Sequence, residues 1–179
     1  MNLALILILI TCCSSEVKTM PDLKITSLAF NNKSLIPTKY TCDGNNINPP
    51  LNIENIPRGT KSLVLIMDDP DIPEEIKKRT GIKVFDHWIV FNIPPRVSTI
   101  RESNQPIGIR GRNSNGTNSY TGPCPPPQYQ PKEHRYFFKI YALDTELKLE
   151  EGAKKKEVEE AMKNHIIAKS ELVGLYSRK

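Results

Sequence analysis

Glycine is scarce in this chain, at 9 residues against 15 prolines, and cysteine is scarcer still, at 4. That ratio argues against long helices and for rigid turns between strands. No Lys/Arg stripe with interleaved aromatics is present. The net charge of +5, from 25 basic and 20 acidic residues spread along the chain, therefore reads as solvated surface that favours anionic ligands or membranes at encounter, and nucleic-acid binding is not implied. There is no internal repeat and no low-complexity tract. No Gly-x-Ser-x-Gly elbow accompanies the histidines, so the usual sequence mark of a serine hydrolase is missing. No apolar run approaches the roughly 18 residues that cross a bilayer.

What is there fits one domain. A hydrophobic share of 38% and a charged share of 25% are ordinary for a soluble globular protein, and 179 residues can bury one sizeable core. The expected division is a leader over residues 1–20 and a single domain over 21–179. Leu3–Ile10 is an unbroken apolar stretch like the h-region of an export signal, although no Lys or Arg precedes it. Thr11, Cys12 and Cys13 follow as in a lipoprotein leader, with Cys12 or Cys13 as the candidate lipidated residue. This reading places the protein in the cell envelope or periplasm, lipid-anchored if the cysteine is modified. A start at Met20 would instead give a cytoplasmic domain. Cys42 and Cys124 remain in the domain, and both one disulfide and two free thiols are open to them.

Leu23–Phe30, Ser62–Met67, Val84–Ile93 and Arg135–Leu143 read as strands, rich in apolar, β-branched and aromatic residues between turn signals. Tyr40–Pro50 is dense in Asn, Gly and Pro and reads as loop, and Ser98–Pro131 as a long polar loop of the kind that carries function. Near the end Val158, Ala161, Met162, His165 and Ile166 recur at helical spacing, and Glu159 stands four residues before Lys163. An amphipathic helix is expected over about 153–169, with His165 on its apolar stripe and the Lys154–Lys156 run in solvent.

Unusual polar residues concentrate in MDDPD (67–71), FDHW (85–88), YTGPCPP (120–126) and HRYFF (134–138). Alternation along a strand puts Asp69 on the face of Leu63, Leu65 and Met67, His87 on that of Phe85, Ile89 and Phe91, and His134 and Tyr136 on that of Phe138 and Ile140. Polar groups on inward faces need partners, so the four are expected to surround one cavity. Imidazole and phenol groups donate hydrogen bonds to phosphoryl or carboxyl oxygens, and a neighbouring carboxylate helps a histidine keep its proton. The set therefore reads as a receptor for a small anion, with prolines stiffening the rim and Gly122 letting backbone approach the ligand. Affinity is expected to rise as pH falls through about 6.5.

DDPD, DHW, GPCPP and HRYFFKIYALD, in this order, together with YTCDGNNINPPL and KNHIIAKSELVGLY, resemble the signature of the phosphatidylethanolamine-binding protein (PEBP) family, also called Raf kinase inhibitor proteins, and most of all its bacterial and archaeal branch. The resemblance spans about residues 22–178. It implies a mostly β fold, a Greek-key β-sandwich with a small C-terminal α-helix, and a surface pocket for phosphate-type groups such as a phospholipid head group. Carried over position by position, Asp69, His87, Pro125, Pro126, His134 and Tyr136 line that pocket, with Tyr120 and Cys124 at its rim. The resemblance adds a protein kinase or serine protease as a candidate partner and a homodimer as a candidate assembly. Three departures stand out: Asp86 where many eukaryotic members carry a second histidine, a longer segment over residues 74–82 than in the corresponding bacterial loop, and Thr121 in place of a commoner glycine.

Three functions compete. A non-enzymatic binding or regulatory protein, without cofactor, fits best. A hydrolase would need a nucleophile, and Cys124 is the one candidate thiol near the motifs. A metal site could use Asp69, His87 and His134, since two imidazoles and a carboxylate can form a facial triad.

Overall fold

The computed structural model describes residues 22–104 and 106–178. The leader reading, with Cys12, Cys13 and Met20, lies outside the described residues. The chain is mostly β. Strands β1 (Lys24–Thr26), β3 (Leu51–Glu54) and β6 (Thr99–Ile100) form a small antiparallel sheet in the order β1-β3-β6. The large sheet takes β2 (Ser34–Leu35), β4 (Ser62–Asp69), β5 (Phe85–Ile93), β7 (Ile109–Arg110), β8 (Glu133–Leu143) and β9 (Ile166–Ser177), in the order β2-β9-β8-β4-β5-β7. Its pairings are antiparallel except β2 with β9. Two short helices complete it, α1 (Glu74–Thr80) and α2 (Lys155–Met162). Among the described residues no helix is long and apolar enough to cross a membrane.

Every residue of β4 is buried because both faces of the large sheet are covered. Leu63, Leu65, Met67, Trp88, Val90, Phe138 and Ile140 on one face meet Ile25, Leu51, Ile53 and Ile100 of the small sheet. Val64, Ile66, Ile89 and Phe91 on the other face meet Val158 and Met162 of α2. A doubly covered strand loses the apolar–polar alternation of a half-exposed one and reads as a continuous apolar run.

The C-terminal region departs from the expected long helix. Helix α2 stops at Met162, Asn164 adopts a left-handed backbone (φ 64°), and the chain turns into β9, which pairs with β8 along most of its length. Ile166 thus belongs to a strand. His165 is exposed in the turn, with its Nδ1 2.8 Å from Asp144 Oδ1, and takes no part in the core. The helix of the PEBP-type expectation is therefore the penultimate element, and a second helix precedes it.

Residues 74–82 are largely helical too. Pro73 leads into α1, Glu74 and Glu75 occupy its first turn, Lys77, Lys78 and Arg79 its last, and Gly81 closes it in the left-handed region (φ 73°). That charge order suits the helix dipole. At the N-terminus only Lys24–Thr26 of the expected Leu23–Phe30 strand forms. Ser27 Oγ donates to the Pro50 carbonyl (2.6 Å) and accepts from the Ala29 N–H (3.1 Å), a side-chain alternative to ladder pairing.

Candidate functional site

At the end of the large sheet where β4 finishes and β5 and β8 begin, a cavity of about 350 Å³ opens to solvent. Asp69, His87, His134 and Tyr136 all line it, with Cys124, Pro125 and Pro126 from the long loop. Tyr120 does not. Its ring is buried edge-on against Trp88 (centroids 5.4 Å apart), and its hydroxyl donates to the Tyr40 carbonyl at 2.7 Å, so it braces the loop from the core side.

His87 arrives by a route that plain alternation misses. Strand β4 pairs Met67 with Trp88 and Asp68 with Asp86, which leaves His87 as an extra residue in β5, a β-bulge. Ile89 and Phe91 point to the α2 face, and unbroken alternation from them would have sent His87 there as well. The bulge returns it to the face of Met67, beside Phe85 at a centroid distance of 4.7 Å. Of the three residues expected to share its face, only Phe85 does.

Two hydrogen bonds fix His87 to the loop, one through its ring and one through its backbone. Its Nδ1 donates to the Thr121 carbonyl (2.7 Å), and the Thr121 N–H donates back to the His87 carbonyl (3.1 Å). With Nδ1–H so committed, the neutral ring carries a lone pair on Nε2, which no described residue bonds. Burial pulls the His87 pKa below its ordinary 6.5, against the opposing pull of the Thr121 carbonyl and the Asp69 charge.

His134 is differently placed. Its Nδ1 lies 2.7 Å from Asp69 Oδ2 and its Nε2 3.1 Å from the Pro131 carbonyl. Both partners are acceptors of the protein itself, so both ring nitrogens of His134 are committed. Asp69 Oδ1 accepts in turn from the Asp71 N–H (2.7 Å). His134 thus lines the cavity but has no donor left to offer it. Tyr136 lies between the histidines, edge-on to His87 (5.2 Å) and stacked with His134 (6.4 Å). Its hydroxyl is fully buried and has no acceptor for its proton among the described residues, although the Cys124 backbone N–H is close enough to donate to its oxygen. Burial, reinforced by the Asp69 charge, raises its pKa far above the ordinary phenol range, so it stays protonated.

Gly122 also lines the cavity, yet its missing side chain answers another need. A Cβ there would collide with the Tyr40 carbonyl and stand 2.8 Å from Asn46 Oδ1, the acceptor of the Gly122 N–H at 2.7 Å. The close approach is therefore between two loops. A Cys42–Cys124 disulfide ties the same loops, with Cα atoms 5.4 Å apart.

Asp86, in the position where a second histidine was considered, faces away from the cavity. It pairs with Lys155 at the start of α2. Lys155 also reaches Asp68 (3.2 Å), which Lys139 bonds at 2.8 Å. Burial raises the Asp86 pKa in spite of Lys155. This charge cluster sits on the α2 face, one residue before Asp69 and before His87 in each strand.

Several residues of the site carried no mark in the sequence reading. Ile72, Pro73 and Ile76, from α1 and its approach, and Phe85 build apolar walls. Asn115 reaches the edge from a loop organised by buried Asn113. Its Nδ2 donates to Thr117 Oγ1, the Ser119 carbonyl and Thr121 Oγ1, and its Oδ1 accepts from the N–H groups of Asn115 and Thr117. The density of Asn in NSNGTN (113–118) was the available signal. Among the described residues no group of three or more His, Cys, Asp or Glu side chains could hold a metal ion, and in the cavity Asp69 and His134 are bonded to each other and His134 to backbone.

Fold and site together define a class: a mostly β domain with two sheets packed on one core, and a cavity at the strand ends closed by a proline-rich loop. The chain belongs to the phosphatidylethanolamine-binding protein family, whose model matches residues 26–177. A UPF0098 protein of Methanothermobacter thermautotrophicus is 47% identical over 84% of this chain and 95% of its own. One from Pyrococcus horikoshii is 46% identical over 99% of this chain and 87% of its own. Among solved structures, a PEBP homologue from Chlamydia trachomatis superimposes with a TM-score of 0.81 at 43% identity, covering 88% of this chain and 99% of its own. E. coli YbcL, described as a member of the mammalian PEBP family, gives 0.77 at 29% identity, covering 89% and 100%.

Proposed function

We propose that this protein is a non-enzymatic binding protein whose cavity holds the phosphate or carboxylate group of a small ligand. The observation that carries the reading is a pair of polar atoms on two residues that line one cavity: Tyr136 Oη, buried with no described acceptor for its proton, and His87 Nε2, which no described residue bonds. A buried hydroxyl without a partner costs about 1–3 kcal/mol, a cost that an incoming oxygen acceptor removes. The family's name attaches a phospholipid to this fold, and its phosphate group carries such oxygens. Catalysis has less support: the Cys124 sulfur is tied to Cys42, and Thr121 Oγ1 accepts from Asn113.

The test uses dimethyl phosphate, a monoanion with no proton of its own to lose, titrated by calorimetry between about pH 5 and 8. An anion gains a charged donor only when Nε2 of His87 takes up a proton. The free-state pKa lies below 6.5 and the bound anion lifts it, so affinity should climb as pH falls through that interval and level off once free His87 is itself protonated. Burial thus sets the transition lower than the sequence alone suggests. The His87→Gln variant should lose the climb. An equally steep profile in that variant would remove His87 from the site, and the absence of saturable binding at any pH would overturn the proposal.

We further propose an oxidising compartment, the envelope or its exterior, a reading supported by the Cys42–Cys124 disulfide, since structural disulfides persist there and are rare in a reducing cytosol. Mass spectrometry of the natural N-terminus should find a processed or lipidated chain. A cytosolic protein beginning at Met1 or Met20 would refute this.

A further inference from the structure

The cavity is larger than an anion requires. At the roughly 30 Å³ per heavy atom of liquid water, a phosphate of about five heavy atoms takes about 150 Å³. Of the 350 Å³ present, about 200 Å³ remains, room for roughly six carbon atoms. Its walls are apolar: Ile72, Pro73, Ile76 and Phe85 on one side, Pro125 and Pro126 on the other. Helix α1 makes the point most directly. Ile76 is the only apolar residue in EEIKKRT, and it lines the cavity while the rest of the helix is charged residues and Thr80. A seven-residue helix with no fully buried side chain has little reason in folding to carry an isoleucine there.

We infer that the ligand is a phosphomonoester with a short hydrocarbon or aryl arm, and that Ile72, Ile76 and Phe85 form the subsite for that arm. The inference rests on the proposed phosphate reading of Tyr136 and His87. With the phosphate paired to Tyr136 and His87, the walls of Ile72 and Ile76 are left for the carbon arm, and Phe85, beside His87 at a ring-centroid distance of 4.7 Å, stands where the two meet. An arm of about six carbons fills the space, and longer chains emerge into solvent.

Calorimetry with methyl, butyl, hexyl and octyl phosphate tests this. Affinity should rise roughly three- to fourfold per methylene at first, as expected when each CH₂ leaves water. It should level off near six carbons, where the calculated space ends. Ile76→Asn should flatten the rise and Ile76→Leu should keep it. Should the Asn variant fail to fold, the wild-type series with the Leu variant still decides. A flat series in which methyl phosphate binds would overturn the subsite and leave the phosphate reading standing. So would a rise that continues through octyl phosphate with the same slope in Ile76→Asn. Failure of every alkyl phosphate, methyl included, would overturn the phosphate reading itself. Phosphatidylcholine vesicles containing phosphatidic acid separate two sources of the same chemistry. Binding to them that butyl phosphate competes away assigns the site to a lipid head group, and binding of soluble alkyl phosphates alone assigns it to a free phosphomonoester.

Discussion

Replacing Tyr136 by phenylalanine is expected to weaken dimethyl phosphate binding roughly ten- to hundredfold while stabilising the free protein by about 1–2 kcal/mol. The two effects have opposite signs for one reason. In the free protein the hydroxyl is fully buried with no described acceptor for its proton, so deleting it removes a desolvation cost and leaves the ring's packing between His87 and His134 intact. In the complex the same hydroxyl donates to a charged oxygen, and hydrogen bonds to charged groups contribute about 1.5–3 kcal/mol. Burial keeps the phenol protonated, so the donor is present at every pH of interest. Calorimetry and chemical denaturation of the same preparation read both quantities. A variant that binds as the wild type does would show that the hydroxyl is not a ligand contact. A less stable variant would show that the hydroxyl is already satisfied, with the Cys124 N–H as the neighbour to examine.

That Tyr136, His87, His134 and Asp69 meet was legible in the sequence, because each lies within or at the end of an apolar strand and buried polar groups seek one another. Their division of labour was not. Alternation makes His134 and His87 equivalent, whereas the structure gives His134 two acceptors and His87 one. Nor could alternation reveal the bulge: one unpaired residue shifts the facing of everything before it, and nothing in FDHW marks where it falls. The facing of Asp86 was hidden for a related reason. As the neighbour of His87 it faces the other side, where Lys155 of α2 meets it, a contact made across a long separation in sequence.

The elements show the same limit. Strands β4, β5 and β8 were found within a few residues because β4 and most of β5 are continuous apolar runs and β8 alternates buried apolar residues with polar ones. Strand β9 was hidden by its neighbour: Val158, Ala161, Met162 and Ile166 continue a helical period across a boundary that the backbone of Asn164 sets. Ile166 and Ile167 are partly exposed, so no burial pattern contradicted the helix. What decides in favour of a strand is the open edge of β8, which pairs from Glu133 to Leu143 and cannot be seen from residues 153–169 alone. Helix α1 was missed for the opposite reason. Its caps and charge order are present in the sequence, but a single isoleucine makes no periodic pattern.

Removing the crosslink, by Cys42→Ser with Cys124→Ser, should have the largest effect on stability. The bond joins positions 82 residues apart, and loop-closure entropy for a loop of that size amounts to about 4.5 kcal/mol. For a chain of 179 residues this corresponds to a fall in Tm of roughly 9–18 °C. The native contacts around the bond persist without it: the Cys42 N–H donates to the Pro123 carbonyl, Gly122 to Asn46, and Tyr120 to the Tyr40 carbonyl. The variant should therefore fold at low temperature with the cavity assembled, and wild type treated with a dithiol should melt with it. Differential scanning calorimetry of both reads the effect. A shift of only a degree or two would mean that these hydrogen bonds already hold the loops together and that the unfolded chain gains little freedom when the bond is absent. In that case Cys124 would matter to the protein chiefly as part of the cavity wall. The affinity of the Ser variants for dimethyl phosphate, measured well below their melting range, separates the two roles. Affinity unchanged beside a large fall in Tm assigns the bond to stability, and affinity lost beside a small fall assigns it to the site.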